Sequence, residues 1–145
     1  MDFFTAMEVS ASGLAAQRTR MNVASSNLAN ASTTSAPEGG PYKRKDVVVQ
    51  SADLPGNLAG HKAGGFSDAV RGVQVASIIE DTAPPRLEHD PGHPDADARG
   101  YVAYPNVNVV EEMVDMITAS RAYEAGISAL GTAVDMAERA LGIGR

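Results

Sequence analysis

Residues 113–141 read MVDMITASRAYEAGISALGTAVDMAERAL, and this stretch decides the fold. Its apolar residues recur at alternating spacings of three and four, which is the spacing of the contact seam in a coiled coil. We therefore expect a long amphipathic helix over 107–142. Asn108 is its predicted N-cap, because an asparagine with Glu111 three positions later is typical of a helix start. The predicted seam residues are Met113, Met116, Tyr123, Ile127, Leu130, Val134 and Leu141.

The N-terminal stretch has the same spacing and predicts a second amphipathic helix over 3–30. Its predicted seam residues are Phe4, Met7, Leu14, Met21 and Leu28. Small residues that would let a neighbouring helix approach closely repeat every seven positions beside the C-terminal seam, at Ala119, Gly126, Ala133 and Ala140. Val110 and Ile117 widen the apolar stripe of this helix, which indicates burial against more than one neighbour.

The segment between the two helices holds all 8 prolines, from Pro37 to Pro105, and cannot be helical. β-Branched residues predict strands over 45–50 and 70–80, a short extended piece over 101–104, and a Gly- and Pro-rich loop over 51–68. We expect a mainly α protein with a small antiparallel β module. The chain then divides into an N-terminal assembly helix (1–31), a β and loop segment (32–105) and a C-terminal assembly helix (106–145).

Composition narrows the classes of function. The net charge of −6 disfavours binding to nucleic acid, and the single basic cluster, Lys43 to Lys45, is expected to keep a strand edge soluble. Cysteine is absent, which excludes disulfides and thiolate metal sites. We expect no membrane span, because no stretch of about 18 apolar residues occurs, and no cleavable signal peptide, because no apolar run follows the acidic N-terminus.

The one segment with metal-binding side chains is EHDPGHPDAD, residues 88–97. His89, Asp90 and His93 could hold a divalent cation through nitrogen and oxygen. The alternative is a solvated structural loop, in which Asp side chains form Asx turns before Pro and Gly. The structural loop is the interpretation that we favour, and we expect no metal site, no catalytic residue and no cofactor.

Several short motifs resemble the bacterial flagellar axial proteins, which build the rod and hook, and among these most the subunits of the proximal rod. SSNLAN (25–30) closes the N-terminal helix, and GPYKRK (40–45) follows it. DPGHPDAD (90–97) precedes GYV (100–102) and PNVN (105–108), and EMVDMI (112–117) leads into ASRAYEA (119–125). The resemblance covers nearly the whole chain. It marks as family-motif residues Asn27, Asn30, Pro41, Tyr42, Asp90, Pro91, His93, Pro94, Asp95, Asp97, Gly100, Tyr101, Pro105, Asn106, Asn108 and Arg121.

The resemblance implies a structural subunit of the flagellar basal body. In such proteins the terminal helices pair to form the inner tube of a torque-transmitting rod, and the middle segment forms its outer wall. The implied partners are copies of the chain, other rod subunits, the adaptor between the rod and the membrane ring, and the flagellar type III export apparatus, which delivers subunits to the periplasm. Two alternatives remain: a free-standing coiled-coil adaptor, and a metal-dependent hydrolase that uses His89, Asp90 and His93.

Overall fold

The computed structural model describes residues 3–37, 39–53 and 70–143. The first element, α1 (Phe3–Ala29), is the N-terminal helix that the spacing of apolar residues predicts. It ends where Asn30 donates both its backbone N–H and its side-chain amide to the carbonyl of Ser26. The backbone N–H of Thr33 then bonds to the carbonyl of Asn30 and turns the chain out of the helix.

The last element, α2 (Val109–Ile143), is the longer helix. It begins at Val109, because the Asn108 Oδ1 accepts the backbone N–H of Val110 at 3.1 Å and of Glu111 at 3.5 Å. The predicted N-cap is therefore confirmed. Within the described parts of the chain, no helix is long and apolar enough to cross a membrane.

Two separate antiparallel ladders lie between the helices. β1 (Lys45–Ala52) pairs with β2 (Gly72–Glu80), and a bulge interrupts the register between Val48 and Val49. Both strands were expected from their β-branched residues. The loop predicted over 51–68 is corrected at its start, since Ser51 and Ala52 belong to β1, and the remainder from 54 onward lies outside the described residues.

The second ladder joins β3 (Arg86–His89) to β4 (Tyr101–Tyr104). The extended piece at 101–104 was predicted, but its partner β3 was not. Three of the four residues of β3 are charged or imidazole side chains and all four are exposed, so it lacks the apolar alternation by which a strand is recognised. β3 forms because each of its four residues pairs with a residue of β4, from Arg86 with Tyr104 to His89 with Tyr101.

α1 lies at the centre of the fold and packs against α2, β1 and β2. It runs antiparallel to α2: Asn27 bonds to Glu112, while Leu14, earlier in α1, contacts Gly126, later in α2. The core is small. In the described residues, it is formed by the buried side chains of Ala16, Ala24, Val102, Val107 and Ala119, together with Pro105.

Candidate assembly surface and polar junction

A buried polar cluster joins both helices to the start of β1. The Asn27 side chain, 1% exposed, uses all four of its hydrogen-bonding positions. Its Nδ2 donates to the Lys45 carbonyl (2.8 Å) and to the Glu112 Oε2 (2.9 Å). Its Oδ1 accepts the Lys45 backbone N–H and the Tyr42 hydroxyl, both at 2.9 Å. We call Asn27, Tyr42, Arg44 and Glu112 the polar junction.

An ion pair completes the polar junction. The Arg44 Nε donates to the Glu112 Oε1 at 2.6 Å, and the Glu112 side chain is 2% exposed. Burial alone lowers the pKa of Arg44, but the hydrogen bond and the negative charge of Glu112 outweigh it and leave that pKa above its ordinary value. The expectation that Lys43 to Lys45 serve only to solubilise a strand edge is therefore wrong for Arg44.

The contact of α2 with α1 runs through small residues. Ala119 is 1% exposed, and a Cβ placed on Gly126 would lie 2.8 Å from the Leu14 Cδ2. The two helices approach closely there because the side chains are small. Ile127, one position after Gly126 and part of the predicted seam, is 48% exposed in the single chain, and its burial in an assembly stays a prediction.

The remaining seam residues divide into two groups. Those partly covered within the chain are Met7, Leu14, Met21, Leu28, Met116, Tyr123, Leu130 and Val134. Those left exposed are Phe4, Met113, Ile127 and Leu141. The role of either group in an assembly interface stays a prediction.

The outward side of α2 carries large apolar residues in a continuous stripe. Val110, Met113, Val114 and Ile117 are 69%, 45%, 56% and 49% exposed. Their spacing of i, i+3, i+4 and i+7 places them on one face of the helix. We call these four residues the outer stripe. Met113 is a predicted seam residue, Val110 and Ile117 were expected to widen the stripe, and the structure adds Val114.

The 88–97 segment forms a tight loop made of its own hydrogen bonds. The Asp90 Oδ1 accepts the Gly92 N–H at 3.1 Å, and the Asp97 Oδ1 accepts those of Arg99 (2.7 Å) and Tyr101 (2.9 Å). These are the predicted Asx turns. The Tyr101 and Arg99 N–H groups hold the pKa of Asp97 below its ordinary value. No group of side chains suited to a metal ion occurs in the part of the chain that the structure describes.

The loop is tied to its surroundings by packing. The His89 and His93 rings stack edge-on against Tyr101 and Tyr104, with centroids 5.1 and 6.2 Å apart. Gly100 has a φ of 81°, and a side chain there would meet His89 and Pro91 at 3.1 Å. The Asp95 carboxylate accepts a hydrogen bond from the Thr34 hydroxyl at 2.7 Å, which fixes the loop to the turn after α1.

The other family-motif residues lie along the path between the loop and the helices. Pro105 is buried ahead of the start of α2, whereas Asn106 and Arg121 are exposed. Pro41 is half-buried beside Tyr42 of the polar junction. Hydrogen bonds join several motif residues directly: Tyr42 donates to Asn27, and the backbone N–H groups of Asp95, Tyr101 and Asp90 donate to His93, Asp97 and Gly100.

Comparison with known proteins agrees with this architecture. A family model for the flagella basal body rod protein matches residues 7–36, and one for the flagellar basal body rod FlgEFG protein C-terminal region matches residues 98–143. The flagellar basal-body rod protein FlgC of Salmonella typhimurium is 45% identical over 145 residues, which is 100% of both chains.

FlgC of Borreliella burgdorferi is 44% identical over 99% of this chain and 98% of its own, and FlgC of Bacillus subtilis is 43% identical over 100% of both. The chain belongs to the FlgC family of flagellar basal-body rod proteins. It is a structural protein of the rod, and the resemblance drawn from its motifs is confirmed. The two matched regions contain nearly all of α1 and the whole of α2.

Sequence reasoning did not single out Arg44 or Glu112, although they lie in the motifs GPYKRK and EMVDMI. They are 68 positions apart, and neither fits an apolar period. The available signal was weak: Glu112 lies seven positions before Ala119, in line with the small residues of α2. A carboxylate in line with a buried stripe requires a buried cation or amide partner.

Proposed function

We propose that this rod protein assembles by burying the outer stripe of α2 against neighbouring subunits. The observation that carries the proposal is the position of the apolar residues. The large side chains of Val110, Met113, Val114 and Ile117 are exposed, whereas Ala119 is buried and Gly126 approaches Leu14 of α1 closely. A contiguous apolar stripe of this kind favours contact with another protein.

Among the described residues, no helix or strand covers the outer stripe. α1 packs against the opposite side of α2, and neither the β1–β2 ladder nor the β3–β4 ladder contacts α2. A second exposed apolar group lies at the ends of the helix pair, at Phe4, Met136 and Leu141. Separate exposed groups on one subunit suit the non-closing contacts of a helical tube, in which each subunit meets several neighbours.

The partners that we propose follow from family membership. They are further copies of the chain, other rod subunits and the adaptor that joins the rod to the membrane ring. We also propose that the chain reaches the periplasmic part of the rod through the flagellar type III export apparatus. The proposal assigns no catalytic step to the chain. It includes the division of the chain into terminal assembly helices and an outer middle segment.

The 88–97 loop fits this proposal as a packing element. Its carboxylates accept backbone N–H groups and a threonine hydroxyl, and its imidazoles stack on tyrosines. These contacts favour a structural role over the metal-dependent hydrolase. They hold the loop beside β4, which leads through Pro105 to the start of α2.

The test is to place a carboxylate on the exposed apolar surface and measure motility. Ile117→Asp lies in the outer stripe, and Ile127→Asp lies at the exposed position of the predicted seam. Each should leave soluble, helical protein, since both side chains are about half exposed in the chain. Each should abolish swimming of a strain that lacks the native gene, because an unpaired charge buried at every subunit contact costs several kcal/mol.

The matched control is Ser128→Asp, which adds the same charge to an exposed polar position of α2. It should swim nearly as well as the unaltered chain. Normal rods in electron micrographs of the Ile117→Asp strain would show that the outer stripe is not an assembly contact, and would contradict the proposal.

A further inference from the structure

The contact between α1 and α2 repeats along both helices. Met7, Leu14, Met21 and Leu28 follow one another at intervals of seven in α1. Ala119, Gly126, Ala133 and Ala140 do the same in α2. A row of large residues on one helix and a row of small residues on the other thus share the same period, and the observed contact between the two rows is Leu14 with Gly126.

One contact defines the observed alignment of the two helices. Leu14 lies against Gly126, so closely that a Cβ added to the glycine would be 2.8 Å from the Leu14 Cδ2. Because the helices are antiparallel, this alignment places Met21 opposite Ala119 and Met7 opposite Ala133. A shift of seven residues would exchange one large-on-small pair for another, such as Leu14 opposite Ala133. The repeated contacts therefore discriminate poorly between alternative registers.

The polar junction is the part of this contact that does not repeat. Glu112 occupies the next position of the small-residue row, seven before Ala119, and its carboxylate bonds to both Asn27 and Arg44. A shift by seven residues moves it about 10 Å along the axis, at roughly 1.5 Å per residue. Both hydrogen bonds would then be lost, and a charged group would remain without a partner.

We propose that the polar junction fixes the register of α1 against α2, as a single buried polar group does in some coiled coils. Arg44 and Glu112 are then positioning residues. They determine which part of α2 packs against which part of α1. The register in turn determines the surface that the subunit presents to a neighbour. The proposal concerns the subunit itself and does not depend on the identity of its partners.

Cysteine cross-linking of the purified full-length chain tests the proposal, since the chain has no cysteine of its own. The Leu14→Cys, Gly126→Cys pair reports the observed register. The pairs of Leu14→Cys with Ala119→Cys or with Ala133→Cys report registers shifted by seven residues. A disulfide needs Cα atoms within about 7 Å, so a shifted pair cannot close in the observed register.

Each pair is placed in a chain with Arg44→Met and Glu112→Leu, which removes both charges together. We expect the shifted disulfides to increase about tenfold, while helix content stays the same. The matched control is Arg86→Met with Glu88→Leu, which removes an exposed pair of the same residue types. It should leave the shifted disulfides at their low level, and so should Arg44→Lys, which keeps the charge beside Glu112.

Two results from the substituted chains would overturn the proposal. One is an unchanged register in the Arg44→Met, Glu112→Leu chain, which would mean that the repeated contacts suffice. The other is a loss of helix content in that chain and in Glu112→Gln, because shifted registers should preserve the helix contacts. Cross-linking of the shifted pairs in the otherwise unaltered chain would also contradict it.

Discussion

The inward and outward faces of α2 differ in how much of their side chains the chain itself covers. The inward face buries Glu112 and Ala119 and partly covers Met116 and Tyr123, whereas the outward face leaves Val110 and Ile117 exposed. A helix of a self-sufficient domain places its large apolar residues toward its own core and polar residues on its outward face. We infer that the inward face orders the subunit, and we propose that the outward face serves assembly.

The energies of the two faces should differ accordingly. Small side chains contribute little apolar area, so the contact between the helices depends on close approach and on the polar junction. The outer stripe contributes little until a neighbour covers it. Substitutions on the inward face should therefore act on the isolated chain, and those on the outward face should act on assembly.

The largest expected effect comes from breaking the polar junction. Arg44→Ala leaves the Glu112 carboxylate buried with Asn27 as its remaining partner. Removal of one member of a buried ion pair typically costs about 3 kcal/mol of unfolding free energy. Urea unfolding followed by circular dichroism measures this loss in the purified chain.

The control is Arg86→Ala, which removes the same side chain from an exposed pair with Glu88. Exposed pairs contribute about 0–1 kcal/mol, so its unfolding curve should nearly coincide with that of the unaltered chain. Equal losses for the two variants would show that the polar junction is no stronger than a surface contact.

A smaller effect should separate two glycines of α2. Gly131 has no neighbouring atom within 4 Å of an added Cβ, so Gly131→Ala should stabilise the chain by about 1 kcal/mol through helix propensity. Gly126→Ala has the same favourable effect on helix propensity, but it places a methyl group 2.8 Å from Leu14. It should therefore be less stable than Gly131→Ala in the same urea assay, and an equal gain for both would mean that the helices do not approach closely there.

The sequence predicted the elements better than their contacts. Spacing alone predicts the first and last residues of both helices to within two positions. Apolar residues that keep a helical period over many turns are a strong indication of a helix. It does not tell which of two adjacent stripes faces the partner. Ile127 of the predicted seam and Gly126 of the predicted small-residue row are adjacent, and only the structure shows that Gly126 is the residue that approaches Leu14 within the chain.

The polar junction lay beyond sequence reasoning for a different reason. Arg44 appeared as one of three adjacent basic residues, and nothing local distinguishes it from Lys43 and Lys45. Its partner is brought near only by the antiparallel packing of the two terminal helices. Asn27 was identified through the family resemblance, but its contacts depend on the path of β1, which no motif specifies.

The smallest expected effect concerns the outward face and gives the sharpest test of the comparison. Val110→Gln replaces a side chain that is 69% exposed, and glutamine is a good helix former. The unfolding free energy of the isolated chain should change by no more than about 0.5 kcal/mol. Ala119→Gln introduces the same residue on the inward face at a position that is 1% exposed, where overpacking costs about 1–3 kcal/mol. If Val110→Gln destabilised the chain as much as Ala119→Gln, the outer stripe would be holding the subunit together, and the division between an ordering face and an assembly face would be wrong.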